Sequence, residues 1–141
     1  MINVKVKKTH AEAKVPTYAH PNDAAMDLYA SQDMTISPNQ RVSVPTGVCM
    51  HIPDGYVGLI WDKSGLSHKH GLKTLGGVID AGYRGEIMVG VINLSDQPYT
   101  VNKHNKIAQM IIQEKPQVTL EEVVELEDSV RGTGGFGSTG K

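Results

Sequence analysis

A chain of 141 residues is long enough for one domain with its own core and short for two. Its charged residues, 21% of the total, sum to a formal charge of −1, which excludes a broad basic surface for nucleic acid but not a local phosphate site. With aromatics at only 5%, the core must be built from Val, Ile, Leu and Met.

Short segments of period two, punctuated by turns, run the length of the chain. Ile2, Val4 and Val6 alternate with polar residues, and residues 24–29 form an apolar strand. Further strands are expected at 41–44, 48–52, 56–61, 72–75, 78–80, 87–94 and 106–113. Turns fall at 37–39, 53–55, 76–77, 96–98 and 102–105. Only 64–70 reads as a helix, capped by Ser64 and ended by Gly71. Residues 118–126 suit either a strand or a helix. Many short strands at this spacing predict an all-β fold, a jelly-roll-like sandwich or barrel with one short helix. Residues 1–129 are expected to form that single β domain, and 130–141 a mobile glycine-rich tail closing the active site. Cys49, alone, excludes an internal disulfide and a multi-cysteine metal site, and its apolar surroundings predict a small buried residue. Neither a signal peptide nor an apolar stretch of membrane length is legible, so a cytoplasmic protein is expected.

Four segments carry chemistry. In the tail, glycine fills half of positions 131–140, yet Arg131, Ser138, Thr139 and the chain's single phenylalanine, Phe136, lie there too. A phenylalanine on such a tail suits the cover of a flat ring, and Arg131, Ser138 and bare amides such as that of Gly137 suit phosphate. Asp80 ends an apolar strand before a glycine-containing turn. There a carboxylate serves either as a general base or as a turn cap. Gly76 and Gly77 admit a close backbone approach, or simply a hairpin, and Tyr83 either stacks under a sugar or half-buries in a strand. In Trp61-Asp62-Lys63-Ser64-Gly65-Leu66 a strand runs into a helix start, where amides and Lys63 suit phosphate. Asp27 sits in an apolar strand and needs either a cationic partner or a hydrated metal, the ion pair being favoured. His68 and His70 read as surface residues.

Taken together, these segments resemble the trimeric dUTP diphosphatases, or dUTPases. Five signature motifs follow in the family's order: Ala24-Ala25-Met26-Asp27-Leu28; Lys63-Ser64-Gly65-Leu66; Gly77-Val78-Ile79-Asp80 through Tyr83-Arg84-Gly85; Ile107-Ala108-Gln109-Met110; and Arg131 through Gly140. The resemblance implies a homotrimer with active sites shared between subunits, hydrolysing dUTP to dUMP and pyrophosphate with Mg2+. It implies Asp80 as the catalytic base. Substrate binding would fall to Lys63, Ser64, Gly65, Gly77, Val78, Ile79, Tyr83, Met88, Gln109, Arg131, Phe136, Gly137 and Ser138. Within that set, the turn at Gly77 to Ile79 reads uracil, Tyr83 packs on deoxyribose, Ser64, Gly65 and Gln109 meet phosphates, Arg131 holds the γ-phosphate and Phe136 caps the base. Asp27 would meet the metal through water, the metal being carried mainly on phosphate oxygens. No nucleic acid or membrane partner is implied. Lys63, Asn105-Lys106 and Gly82 depart from the usual residues, Lys63 replacing an arginine and losing its planar fork. Two rivals differ in kind: a deaminase acting on dCTP, and a nucleotide-binding regulatory relative without catalysis.

Overall fold

The structure, a computed structural model, describes residues 2–136. Ten strands and one helix form among them: β1 (Lys5–Lys8), β2 (Met26–Tyr29), β3 (Met34–Ile36), β4 (Arg41–His51), β5 (Tyr56–Trp61), α1 (Ser64–His70), β6 (Leu72–Leu75), β7 (Val78–Ile79), β8 (Glu86–Asn93), β9 (Tyr99–Val101) and β10 (Lys106–Glu114). Two four-stranded sheets, ordered β1-β4-β8-β6 and β2-β10-β5-β7, are joined by a two-stranded pair, β3-β9, and every pairing is antiparallel. The all-β, jelly-roll-like expectation holds.

Alternation along the strands builds the core. In β8, Ile87, Val89, Val91 and Asn93 point inward while Met88 faces out. Leu28, Val44, Val48, Met50, Ile52, Ile60, Val101, Ile107 and Met110 complete an aliphatic interior with no phenylalanine or tryptophan in it. Burying each such side chain contributes roughly 1.5–3 kcal/mol before entropy is counted. The buried polar Asn93 is satisfied: its Nδ2 donates to Ile36 O at 2.9 Å and to Gln97 O at 2.8 Å, tying the β3-β9 pair to β8.

Several expectations need correction. The segments 41–44 and 48–52 form one strand, β4, because Pro45, Thr46 and Gly47 make an irregularity that the strand passes through. Gly47 has φ 72°, and a Cβ there would lie 2.7 Å from Ala13 Cβ, so the bend requires glycine. Ser64 does not cap α1. Lys63 occupies the cap with extended backbone, no side chain caps it, and Ser64 is the first helical residue. Gly71 ends the helix in the left-handed region, as expected. Cys49 is half-buried, because its strand lies beside the short edge strand β1. Residues 118–126 form neither helix nor strand, and Val118, Leu120, Val124 and Leu126 are exposed. No helix among the described residues is long and apolar enough to cross a membrane.

Candidate functional site

The second sheet positions the first half of the site. In β10, Gln109 lies between buried Ala108 and Met110, so its side chain points away from the core. Its register partners are Asp27 on β2 and Trp61 on β5, which puts all three in one row across the outer face. A cavity of about 630 Å3 opens on that row, lined by Asp27, Trp61, Asp62, Lys63, Ser64, Lys106 and Gln109 among others.

Asp27 is its electrostatic centre, and only 4% exposed. Lys63 Nζ donates to its Oδ1, and Lys106 Nζ lies 2.6 Å from Oδ2. The Lys106 contact is an ion pair outside hydrogen-bond geometry, so Oδ2 is buried without a hydrogen bond. Burial pushes the Asp27 carboxyl up, but the two lysines outweigh it and hold the group below the ordinary 3.8. Asp27 in turn holds Lys106 protonated above the ordinary 10.5. The favoured reading of Asp27 as an ion-paired residue is therefore met, with two cations rather than one. Gln109 is oriented by donating Nε2 to Asp62 O at 2.8 Å.

A smaller cleft of about 160 Å3 adjoins the cavity across Trp61 and is lined by Leu59, Ile60, Lys73, Thr74, Gly76, Gly77 and Val78. Gly77 has φ 109°, and a Cβ there would meet Ile60 O at 2.9 Å. The close approach expected of this glycine is thus made to its own chain, while Gly76 faces open space. Val78 is 68% exposed at the cleft, and Ile79 turns inward onto the core.

The other residues assigned to the site line neither hollow, whereas His68, expected at the surface, is exposed where it lines the larger cavity. Asp80 is exposed just beyond β7, and its turn is closed by Tyr83 N donating to Asp80 O at 3.0 Å. Tyr83 is half-exposed and donates its hydroxyl to Glu86 O at 2.9 Å. Its ring covers Gly85, where a Cβ would lie 2.3 Å from the hydroxyl oxygen. Met88 is exposed on β8. Gly65 stands open at the helix start, His68 and His70 are exposed, and Arg131 folds onto its own turn, Nε donating to Gly134 O at 2.8 Å. Phe136 projects fully into solvent. Gly137 and Ser138 lie outside the described residues. One chain therefore gathers Asp27, Lys63, Ser64 and Gln109, sets Gly77 and Val78 beside them, and leaves Asp80, Tyr83, Met88, Arg131 and Phe136 apart.

Sequence reasoning gave no binding role to Trp61, Asp62, Lys106 or His68, which all line the cavity. The strand register held the signal, since Trp61 falls opposite Gln109, and Lys106 opens the strand that runs beside β2.

Comparison with known proteins gives the family and the fold. A family model for dUTPase matches residues 11–140. The chain is 44% identical to the deoxyuridine 5'-triphosphate nucleotidohydrolase of Clostridioides difficile, with 99% of each chain covered. It is 45% identical to the protein of the same name from Clostridium tetani, covering 98% of this chain and 97% of that one. Among solved structures, it superposes with a TM-score of 0.93 on the dUTPase of Staphylococcus bacteriophage 80alpha with dUPNHPP, at 30% identity and 100% coverage of both. It also superposes with a TM-score of 0.84 on a mutant dUTPase of phage phi11, at 26% identity and covering 90% of this chain and 100% of that one; that structure is described as revealing the coordination of a structural Mg(II) ion. By its sequence, its fold and the full span of the matching model, the chain belongs to the dUTPase family.

Proposed function

We infer that this protein hydrolyses dUTP to dUMP and pyrophosphate, which lowers dUTP and supplies dUMP for thymidylate synthesis. The observation that carries the reading at the site is the cavity on the β2-β10-β5 face, where a hydroxyl (Ser64), an amide (Gln109) and two lysines (Lys63, Lys106) converge around one buried carboxylate. That donor set suits a chain of phosphates, and the adjoining cleft at Gly77 and Val78 suits a base.

Asp80 is the proposed general base. It takes a proton from water, which attacks the α-phosphorus in line, and pyrophosphate leaves. Ser64, Gly65 and Gln109 donate to the phosphates, and Lys63 balances their charge. Backbone groups from Gly77 to Ile79 read uracil, while Tyr83, with Met88 nearby on β8, packs against deoxyribose. Arg131, Gly137 and Ser138 close on the phosphates and Phe136 covers the base, excluding water.

Mg2+ is the proposed cofactor, and Asp27 is the carboxylate that would meet it through water, at Oδ2, which has no hydrogen bond although Lys106 Nζ is ion-paired with it at 2.6 Å. The described residues offer no group of three or more Asp, Glu, His or Cys placed for a metal, so the other positions fall to phosphate oxygens and water. When bound, the ion offsets charge on the triphosphate.

The proposed assembly is a homotrimer with shared sites. Two features support it: Asp80 and Tyr83 stand apart from the phosphate cavity of their own chain, and Val118, Leu120, Val124, Leu126 and Val130 are exposed among the described residues. Residues 1–129 act as one β domain and 130–141 as its closing tail. Incubation with dUTP and with dCTP tests the activity. Expected are dUMP and pyrophosphate from dUTP and unchanged dCTP. Release of dUTP from dCTP, or no product from either, contradicts the reading.

A further inference from the structure

Asp62 stands between the end of β5 and the start of α1, and it makes more connections than any residue assigned above to the phosphates. Its Oδ1 accepts from Thr74 N at 2.6 Å and from Thr74 Oγ1 at 2.8 Å. Its Oδ2 pairs with Lys73 Nζ at 2.6 Å. Its backbone oxygen accepts from Gln109 Nε2 at 2.8 Å. These bonds join three strands. Thr74 belongs to β6 in one sheet, where it pairs with Val91, whereas β5 and β10 belong to the other. The carboxylate therefore closes the base of the 63–73 loop, which carries Lys63, Ser64, Gly65 and all of α1. The same residue's carbonyl aims the Gln109 amide into the cavity that this loop borders.

We propose that Asp62 is a positioning residue for the triphosphate, fixing Lys63, Ser64 and Gln109 in mutual register by clamping β5 to Thr74 of β6. The proposal rests on the functional reading of the cavity given above. The same bonds set the charge of the clamp: burial pushes the Asp62 carboxyl up, yet the bonds from Lys73 and Thr74 outweigh burial and hold it below the ordinary 3.8. Without the carboxylate, the 63–73 loop keeps the packing of Leu66 on the core and the bond from Leu94 N to Gly71 O, but it loses the link from the end of β5 to Thr74 that holds its donors in a common frame. Misplacement by an ångström is enough to cost about 100-fold in a preorganised site.

The test compares Asp62→Ala, Asp62→Asn and Thr74→Val with the parent. The probes are a non-hydrolysable imido analogue of dUTP and dUMP for binding, and dUTP for turnover. Asp62→Ala is expected to weaken the analogue by about 10-fold or more and dUMP by under about 2-fold, because the clamp serves donors to the phosphate chain. KM for dUTP should rise more than kcat falls. Asp62→Asn keeps an oxygen acceptor for Thr74 and should restore most of the analogue's affinity. If Asp62→Ala does not fold, Thr74→Val carries the test, since it removes one hydroxyl and should give a smaller loss of the same kind. Equal losses for dUMP and the analogue, no loss at all, or an Asp62→Asn variant as weak as Asp62→Ala would overturn the proposal. A parent protein that neither binds the analogue nor hydrolyses dUTP would overturn the functional reading beneath it, an outcome distinguishable from failure of the clamp alone.

Discussion

At the scale of single residues, the molecule separates charge that is held from charge that is free to act. Asp27 and Asp62 are both carboxylates beside the cavity, and both are consumed by lysines or by Thr74. Asp80 is exposed, beyond the end of β7. Asp80→Asn keeps the shape and removes the proton acceptor. Turnover of dUTP is expected to fall by about 100-fold or more, with binding of a non-hydrolysable analogue preserved within a few-fold; near-normal kcat would remove Asp80 from the role. Gly85 offers a second test, because a Cβ there would lie 2.3 Å from the Tyr83 hydroxyl. Gly85→Ala must swing that ring aside and break its bond to Glu86 O, at a cost of about 1 kcal/mol in stability. Measured as the ratio of kcat/KM for dUTP to that for UTP, discrimination should fall in this variant, because a Tyr83 ring packed against deoxyribose would crowd a 2′-hydroxyl, and that ring has moved.

At the scale of elements, what could be read from sequence followed the strength of local patterning. β5, β6, α1, β8 and β10 alternate or cap clearly and were legible to within a residue or two. The strands β3 and β9 are three residues each, too short for a period to register, and exist because they pair with each other and hang on Asn93. β4 read as two strands because proline and glycine at its middle signal a break, while pairing with β8 on both sides carries it through. Of the site, the phosphate-side residues were legible as motifs, but the double pairing of Asp27 and the clamp at Asp62 were not, because both depend on strand register between distant segments. The tail is the element with the clearest separable role. Val130 and Phe136 bury nothing in their own chain, so deleting 131–141 should leave the thermal midpoint within a few degrees. The same deletion should lower dUTP turnover by about 10-fold or more, since Arg131, Phe136 and Ser138 are lost from the closed site. A large drop in melting temperature, or unchanged turnover, would contradict that division of labour.

At the scale of the whole molecule, two properties follow from the same residues. The first is acid sensitivity. Asp27 and Asp62 are held below the ordinary 3.8, so their contribution to stability is present above that value and is lost as pH falls through their lower folded values. Urea midpoints should therefore be flat near neutrality and drop below about pH 4, and Asp62→Asn should flatten part of that drop. An unchanged slope in the variant would mean that the Lys73–Asp62–Thr74 cluster is not formed in solution. The second is the proposed assembly. A lone chain presents Gln109 and Lys63 in one hollow, Asp80 and Tyr83 elsewhere, and a long uncovered apolar segment, which makes sense in a molecule whose site is completed by its neighbours. Subunit complementation tests that claim most directly. Asp80→Asn chains and Gln109→Ala chains, each nearly inactive as pure assemblies, are mixed under conditions that exchange subunits, and dUTP hydrolysis is followed. The account predicts recovered activity, because some sites in mixed trimers pair an intact Asp80 from one chain with an intact Gln109 from another. No recovery, with exchange demonstrated by mass, would show that each chain works with its own Asp80 and would contradict the shared site.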